Sequence, residues 1–267
     1  MTKSTRAFRF STALFGLLVA GSAWSDFQFN LPEGVTVTSR EIYALHMQVL
    51  WVCVVIGVVV YGAMIVAIVR FRKNAGAKPA KFTHSAALEV VWTVIPAVIL
   101  VAMAVPAAET LVRMSDTRNA GLTILVTGYQ WRWHYHYIDD GVQFFSTLER
   151  ASNAARQLDS GIDPTTVENY LLAVDRPLVV PVNVKVRLLI TSADVVHAWW
   201  VPQLGVKQDA VPGIVRDTAW FLADTEGTYR GQCAELCGMD HGFMPIVVQV
   251  VSRAEFDAWL LSQKPAQ

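Results

Sequence analysis

Two long apolar stretches dominate the first half of the chain. Residues 47–69 form a run of 23 residues without a charged side chain, and residues 86–108 form a second run of similar length that contains one acid, Glu89. A helix rises about 1.5 Å per residue, so each run would span roughly 35 Å, enough to cross a bilayer. Neither run has a polar face. The pattern therefore predicts two transmembrane helices rather than the core helices of a soluble protein.

The segments around these helices indicate their orientation. Residues 1–25 begin with basic side chains, continue with a short apolar segment and end in small residues, which is the pattern of a secretory signal peptide. An uncleaved anchor is the alternative, and either way residues 26–46 are exported. The loop at residues 70–85 contains no acid and is cytoplasmic by the positive-inside rule, because it carries Arg70, Arg72, Lys73, Lys78 and Lys81.

From residue 120 the pattern changes to short segments rich in β-branched and aromatic residues. Gly, Pro, Asp and Asn separate them, which is typical of a β-sandwich or β-barrel. Arg150–Asn169 is polar and predicts an insertion or a small helix, and Ser252 with Glu255 predicts the capped start of a last helix. We expect an all-β domain over residues 120–263, with strands at Leu122–Thr127, Trp131–Ile138, Leu178–Val182, Val184–Thr191, Trp199–Val201, Ala219–Leu222, Gly227–Gly231 and Ile246–Val251.

Composition narrows the class of protein. Hydrophobic residues make up 53% of the 267 residues and charged residues only 16%, which excludes a disordered or nucleic-acid-binding protein. The net charge is zero, but residues 1–110 hold 9 basic and 5 acidic side chains, whereas residues 111–267 hold 13 and 17. An acidic domain joined to basic membrane segments indicates two compartments and a basic partner. Three cysteines are too few for a disulfide framework.

The segment GQCAELCGMDHGFMP carries the richest chemistry. It places Cys233, Cys237, His241 and Met244 within twelve residues, and His197 lies upstream in DVVHAWWVP. Thiolate, imidazole and thioether donors suit copper, and the methionine argues against zinc. A mononuclear blue-copper site needs only one cysteine. Two cysteines four residues apart can bridge two copper ions, each with one terminal histidine, which predicts an electron relay without an open position for a substrate.

This segment resembles the binuclear copper (Cu-A) loop of the cytochrome c oxidase subunit 2 family. The resemblance covers nearly the whole chain after the signal segment, including the hairpin, the aromatic strand GYQWRWHY and the motif VKQDAVPG. It implies a cupredoxin fold, a Greek-key β-barrel, for the β-domain. It also implies a full set of copper ligands, namely His197, Cys233, the backbone carbonyl of Glu235, Cys237, His241 and Met244.

The resemblance assigns further roles outside the copper ligands. The Glu235 side chain would reach a magnesium ion at the boundary with subunit 1, which suits a hard carboxylate; a solvated loop acid is the alternative. Trp131 matches the tryptophan through which electrons enter from cytochrome c, whereas Trp133 is expected in the core. Glu89 matches a glutamate at the mouth of a proton-uptake path, with His84 nearby, and pairing with the loop lysines is the alternative.

The charged residues that would dock cytochrome c match the family pattern only in part. Acidic side chains could steer a basic cytochrome c, and the candidates are Asp139, Asp140, Asp194 and Asp209. Asp194 matches a family acid next to the first copper histidine. His136 and Arg132, however, stand where better-known members carry an acid and an aromatic residue. This difference leaves room for another donor, or for a cytochrome with a less basic face.

The resemblance implies subunit 2 of cytochrome c oxidase in a bacterial inner membrane, with both mature termini and the copper domain in the periplasm. Its partners would be subunit 1, other oxidase subunits, cytochrome c and lipid, but no nucleic acid. A quinol oxidase subunit would lack the copper ligands, and nitrous oxide reductase would need a large further domain. A membrane-tethered copper chaperone explains CxxxC but not the hairpin, Met244 and the second histidine. Oxygen reduction would be a property of the complex.

Overall fold

The structure is a computed structural model that describes residues 30–78 and 83–263. The described residues from Glu33 onwards belong to one compact unit. The predicted signal peptide at residues 1–25 and part of the predicted cytoplasmic loop, including Lys81, lie outside the described residues.

Two long helices form the hairpin. Helix α1 spans Val37–Arg70 and helix α2 spans Ala86–Met114. Both are long and apolar enough to cross a membrane, and the most apolar window of each has no buried residue. Helix α1 begins at Val37 rather than at Met47, because a capping box between Thr36 and Ser39 starts the helix before the apolar run does.

The described residues form ten strands in two five-stranded sheets. The strands are β1 Leu122–Tyr129, β2 Arg132–Tyr137, β3 Val142–Ser146, β4 Leu178–Pro181, β5 Val186–Ser192, β6 His197–Val201, β7 Val206–Ala210, β8 Arg216–Phe221, β9 Gly227–Cys233 and β10 Pro245–Val251. In the first sheet the strand order is β3-β2-β1-β5-β8, and in the second it is β4-β10-β9-β6-β7. Strand β1 pairs in parallel with β5, and β4 pairs in parallel with β10.

Alternation of apolar and polar positions explains how the two sheets pack. In β2 and β5 every second side chain is buried, so each strand turns one face inward and one outward. All four residues of β4 are buried, which makes it a fully covered strand. The largest side chains of the shared core come from both sheets and include Trp133, Trp199, Tyr135, Tyr137 and Phe221.

The predicted strands are found with shifted ends, and two strands were missed. Strand β3 is only five residues long, and β7 has the sequence VKQDA, whose polar residues indicate a loop. Pairing with β6 makes β7 a strand despite that composition. In the polar insertion, a six-residue helix α3 spans Arg150–Ala155. Helix α4 spans Arg253–Gln263, and Ser252 and Glu255 cap its start as predicted.

A short segment before α1 ties the hairpin to the β-domain. Val35 donates its backbone N–H to Gln203, and Asp224 donates to Val35. The hydroxyl of Thr36 donates to the carbonyl of Leu204 at 3.1 Å. We call residues 34–36 the strap, because they join the first turn of α1 to two loops of the β-domain.

Candidate metal centre

His197 enters the site from the first residue of strand β6. Its side chain is fully buried, and its Nε2 lies 2.9 Å from a carboxylate oxygen of Asp194. This leaves Nδ1 facing Cys233, at 3.8 Å from its Sγ. Gly128 on β1 makes room for the ring, since a Cβ there would lie 2.7 Å from the imidazole. The sequence analysis counted Asp194 among the surface acids and matched it to a family acid next to the first copper histidine; in the structure it orients that histidine.

The two cysteines face each other across the start of the loop. Cys233 ends strand β9, and its Sγ lies 3.9 Å from the Sγ of Cys237. The carbonyl of Glu235 accepts from Cys233 Sγ at 3.3 Å, so this carbonyl also points to the sulfur pair. Both cysteine side chains are buried. We call residues 233–244 the metal loop.

The remaining two donors come from the second half of the metal loop. A 3-10 turn spans His241–Phe243 and brings the ring of His241 back towards the sulfurs. His241 Nδ1 lies 3.6 Å from Cys237 Sγ, and the buried Met244 Sδ lies 3.5 Å from the same sulfur. The structure therefore brings together all six donor groups that the resemblance implied.

Protonation differs between the two thiols. Burial raises the pKa of Cys233, but hydrogen bonds with His197 and with backbone groups outweigh this effect, and the net pKa is below its ordinary value. Burial and the nearby Cys233 raise the pKa of Cys237 to about 12. Burial lowers the pKa of His197, yet its contacts with Cys233 and Asp194 outweigh burial and leave that pKa raised. The first proton is thus lost from Cys233.

The donor set fits copper. His197, Cys233 and Cys237 offer ligand atoms within 4.8 Å of one another, which is close enough to hold a metal ion. Tetrahedral ligands about 2.0–2.3 Å from one ion lie roughly 3.3–3.8 Å apart, similar to the nitrogen–sulfur separations here. Two sulfurs, two imidazoles and a thioether form a soft set that favours copper over a hard cation.

Two tryptophans near the loop have different surroundings. Trp131 is half-buried, and its indole N–H donates to the carbonyl of Cys237 at 3.2 Å. It packs over Gly238, which has a φ of 120° and whose Cβ position would lie 3.2 Å from the ring. Trp133 is fully buried and lies edge-on to His197 at 5.9 Å, as expected for a core residue. Gln130 also donates to the Cys237 carbonyl, a contact that sequence patterns did not indicate.

Glu89 and the Glu235 side chain are not part of this cluster. Glu89 lies in the first turn of α2, and one of its oxygens lies 3.2 Å from Nδ1 of His84. Among the described residues, which do not include Lys81, His84 is thus the side chain that contacts the Glu89 carboxylate. The side chain of Glu235 is exposed on the metal loop, so it is accessible to a neighbouring subunit.

The fold and the site together define a cupredoxin-like protein with two helices long enough to span a membrane and a loop of soft metal donors. Two family models match the chain, "Cytochrome C oxidase subunit II, periplasmic domain" at residues 122–251 and "Cytochrome C oxidase subunit II, transmembrane domain" at residues 24–109. The chain belongs to the cytochrome c oxidase subunit 2 family.

Two bacterial relatives agree with this assignment. The chain is 42% identical to a probable cytochrome c oxidase subunit 2 of Rickettsia bellii, over 94% of this chain and 89% of the relative. It is 40% identical to cytochrome c oxidase subunit 2 of Cereibacter sphaeroides, over 97% and 92%. A crystal structure of the periplasmic domain of cytochrome oxidase subunit II of Bradyrhizobium japonicum is 40% identical and covers 55% of this chain and 96% of that chain, with a TM-score of 0.48.

The family assignment confirms the predicted fold class, a two-helix hairpin followed by a cupredoxin-like β-domain. It also confirms a membrane protein that acts as part of a haem-copper oxidase, whose oxidoreductase activity is a property of the complex. The His/Cys/Cys cluster in a member of this family points to copper binding.

Proposed function

We propose that the chain accepts electrons from reduced cytochrome c at a binuclear copper (Cu-A) centre. It passes them to the haem-copper catalytic subunit 1, where O2 is reduced to water with coupled proton translocation. The observation that carries this proposal is the convergence of two cysteine sulfurs, two histidine nitrogens, the Met244 sulfur and the Glu235 carbonyl around one point. A bound copper pair would supply one-electron redox chemistry with its charge shared over two metals.

The residues of this chain prepare that site before any metal binds. Asp194 holds His197 in the orientation that presents Nδ1 to the sulfurs. The core around Trp133 and Met244 keeps water away from the donor groups. Such preorganisation limits rearrangement when the oxidation state changes, which favours a relay over a catalyst.

Copper content of the full-length chain in detergent tests the proposal. We expect two copper ions per chain and an electron paramagnetic resonance spectrum with hyperfine splitting from both nuclei. Cys233→Ser and Cys237→Ser should each lose this spectrum, whereas Cys53→Ser should keep it, because Cys53 is exposed on α1. One copper per chain, or splitting from a single nucleus, would contradict the binuclear centre and favour a copper chaperone.

We also propose that electrons enter through Trp131. Its indole donates to the carbonyl of a cysteine ligand and is half-buried at the surface beside Gly238, so it offers a short route from outside to the metal loop. Trp131→Phe should slow reduction of the copper-loaded chain by cytochrome c without changing the copper count. Trp259→Phe, another half-buried tryptophan, serves as the control. Equal reduction rates in the two variants would exclude Trp131 as the route.

Two acidic residues complete the proposal. Glu89, paired with His84 at the first turn of α2, would take up protons for subunit 1, so Glu89→Gln should lower turnover of the assembled oxidase.

The exposed Glu235 carboxylate would bind Mg²⁺ shared with subunit 1, since magnesium takes few protein carboxylates and keeps several waters. Glu235→Gln should lower the magnesium content of the complex while its copper content stays unchanged, because the copper ligand is the backbone carbonyl.

The proposed setting is a bacterial inner membrane. The basic loop would face the cytoplasm, and both mature termini and the copper domain would face the periplasm. A cysteine introduced at an exposed position by Asp159→Cys tests this orientation in intact cells. A reagent that cannot cross the inner membrane should label it, because only the periplasmic side is open to such a reagent.

A further inference from the structure

A side chain from the insertion contacts the metal loop from outside. Arg156 follows helix α3, and its Nε donates to Asn153 at 2.8 Å, which orients the guanidinium beside its own helix. Its two terminal nitrogens donate to the two carboxylate oxygens of Asp240, at 3.2 and 3.0 Å. The same guanidinium lies over the ring of Phe243, with its carbon 4.2 Å from the ring centroid. The side chain of Arg156 therefore contacts the metal loop at two residues, Asp240 and Phe243.

The two points of contact are the immediate neighbours of proposed copper ligands. Asp240 precedes His241, and Phe243 precedes Met244. The backbone N–H of Phe243 donates to the carbonyl of Asp240 at 2.9 Å and closes the 3-10 turn between them. Fixing the side chains at both ends of this turn also fixes the backbone that carries the ring of His241 and the thioether of Met244.

The two halves of the site differ in how they are supported. His197 and Cys233 lie on strands β6 and β9, whose paired backbones hold them in place. Residues 234–244 contain turns and the 3-10 helix but no strand residue. The second half of the site therefore depends on side-chain contacts for its conformation.

The ion pair is suited to this role by its burial and its geometry. The side chains of Arg156 and Asp240 are only 20% and 22% exposed, so water and salt screen the pair less than an open surface pair. The planar guanidinium can bind both carboxylate oxygens and stack on a ring at the same time. A lysine would keep the charge but lose the fork and most of the stacking.

We propose that Arg156 is a positioning residue for the copper site. Its bidentate pair with Asp240 and its contact with Phe243 hold the second half of the metal loop, and with it His241 and Met244, in the geometry for metal binding. This inference rests on the copper site proposed above, but it concerns contacts among residues of this chain.

The test compares R156Q, R156K and D240N with a matched control, R253Q, in the full-length chain in detergent. Arg253 also pairs with a carboxylate, that of Asp257, and lies over a ring, that of Phe256, but it belongs to helix α4. The first measurement is the alkylation rate of Cys237 in copper-free protein, with Cys53 in the same sample as the internal reference. The second is the rate at which the loaded protein releases copper to a chelator.

We expect R156Q and D240N to raise both rates about tenfold, which corresponds to about 1.4 kcal/mol. In R156K both rates should lie between those of the wild type and R156Q. The double variant R156Q/D240N should show rates no higher than either single variant, because both substitutions remove the same interaction. R253Q should match the wild type. The hyperfine pattern of loaded R156Q should also change, which a purely structural contact elsewhere would not cause.

Rates of R156Q and D240N equal to those of R253Q would overturn the proposal. An R156Q effect matched by an equal loss of global unfolding free energy would overturn it as well, since that is general destabilisation. If R156Q does not fold, the nearly isosteric D240N decides the question. A wild-type chain that takes up no copper would defeat the proposed function, whereas the alkylation rates would still decide the role of Arg156.

Discussion

The helical hairpin and the β-domain contain the same apolar residue types, but the hairpin exposes them on its surface and the β-domain buries them in its core. Leu100 on α2 is 66% exposed, whereas Leu188 on β5 is 0% exposed. The hairpin requires a lipid environment, because the most apolar window of each described helix has no residue buried against protein. The β-domain encloses its own core between two sheets. Burial in protein and burial in lipid are therefore separate sources of stability within one chain.

One leucine in each region tests this difference directly. Leu188→Ala should lower the free energy of unfolding of the β-domain by about 2–5 kcal/mol, because it leaves a cavity in a packed core. Leu100→Ala should change it by less than about 1 kcal/mol, because its surroundings are lipid or detergent. Chemical denaturation of the full chain in detergent, followed by tryptophan fluorescence, gives both values. Equal losses would show that the hairpin stabilises the β-domain through Leu100.

A smaller effect is expected where the two regions meet. Thr36 caps helix α1 and also donates to Leu204 of the β-domain, so Thr36→Ala should cost about 1–2 kcal/mol. Ser85 occupies the same position before α2 but makes no side-chain capping bond, which makes Ser85→Ala the matched control. Both variants can be measured in the same denaturation experiment. A loss in Ser85→Ala as large as that in Thr36→Ala would rule out the strap as the special contact.

The smallest expected effect depends on pH. A hydrogen bond from Arg40 lowers the pKa of Asp224, which ties α1 to the β-domain. A lowered pKa in the folded state adds stability above the unfolded value of about 3.9, and this stability is lost as pH falls through the folded pKa. Because the pair is partly exposed, Arg40→Gln should cost less than about 1 kcal/mol at pH 7.

Unfolding free energies of the wild type and Arg40→Gln between pH 7 and pH 3 check this prediction. The difference between them should shrink as the pH falls below 4, since the protonated Asp224 no longer attracts Arg40. A difference that stays constant over this range would mean that Arg40 acts through packing rather than charge.

The candidate site shows how far sequence patterns reach. The two cysteines and the second histidine were predictable because their donor atoms lie on one short segment. Asp194 was expected beside the first copper histidine only through the resemblance, and its bond to His197 depends on the turn before β6. The contact between Arg156 and Asp240 joins positions 84 residues apart in the chain, so local spacing could not indicate it.

The amino-acid sequence alone predicts the features of this protein that depend on local residue order. Uninterrupted apolar length predicts the hairpin, because a helix needs a fixed number of residues to cross a bilayer. Short segments rich in β-branched and aromatic residues, separated by turn residues, predict most strands. It also determined which donors are available to copper. The structure was needed to show that β7 is a strand and that Arg156 contacts the metal loop. The polar sequence of β7 carries no strand signal, and its pairing with β6 is what makes it a strand. Arg156 and Asp240 are 84 residues apart in the chain, so their contact exists only because the folded chain brings the two segments together.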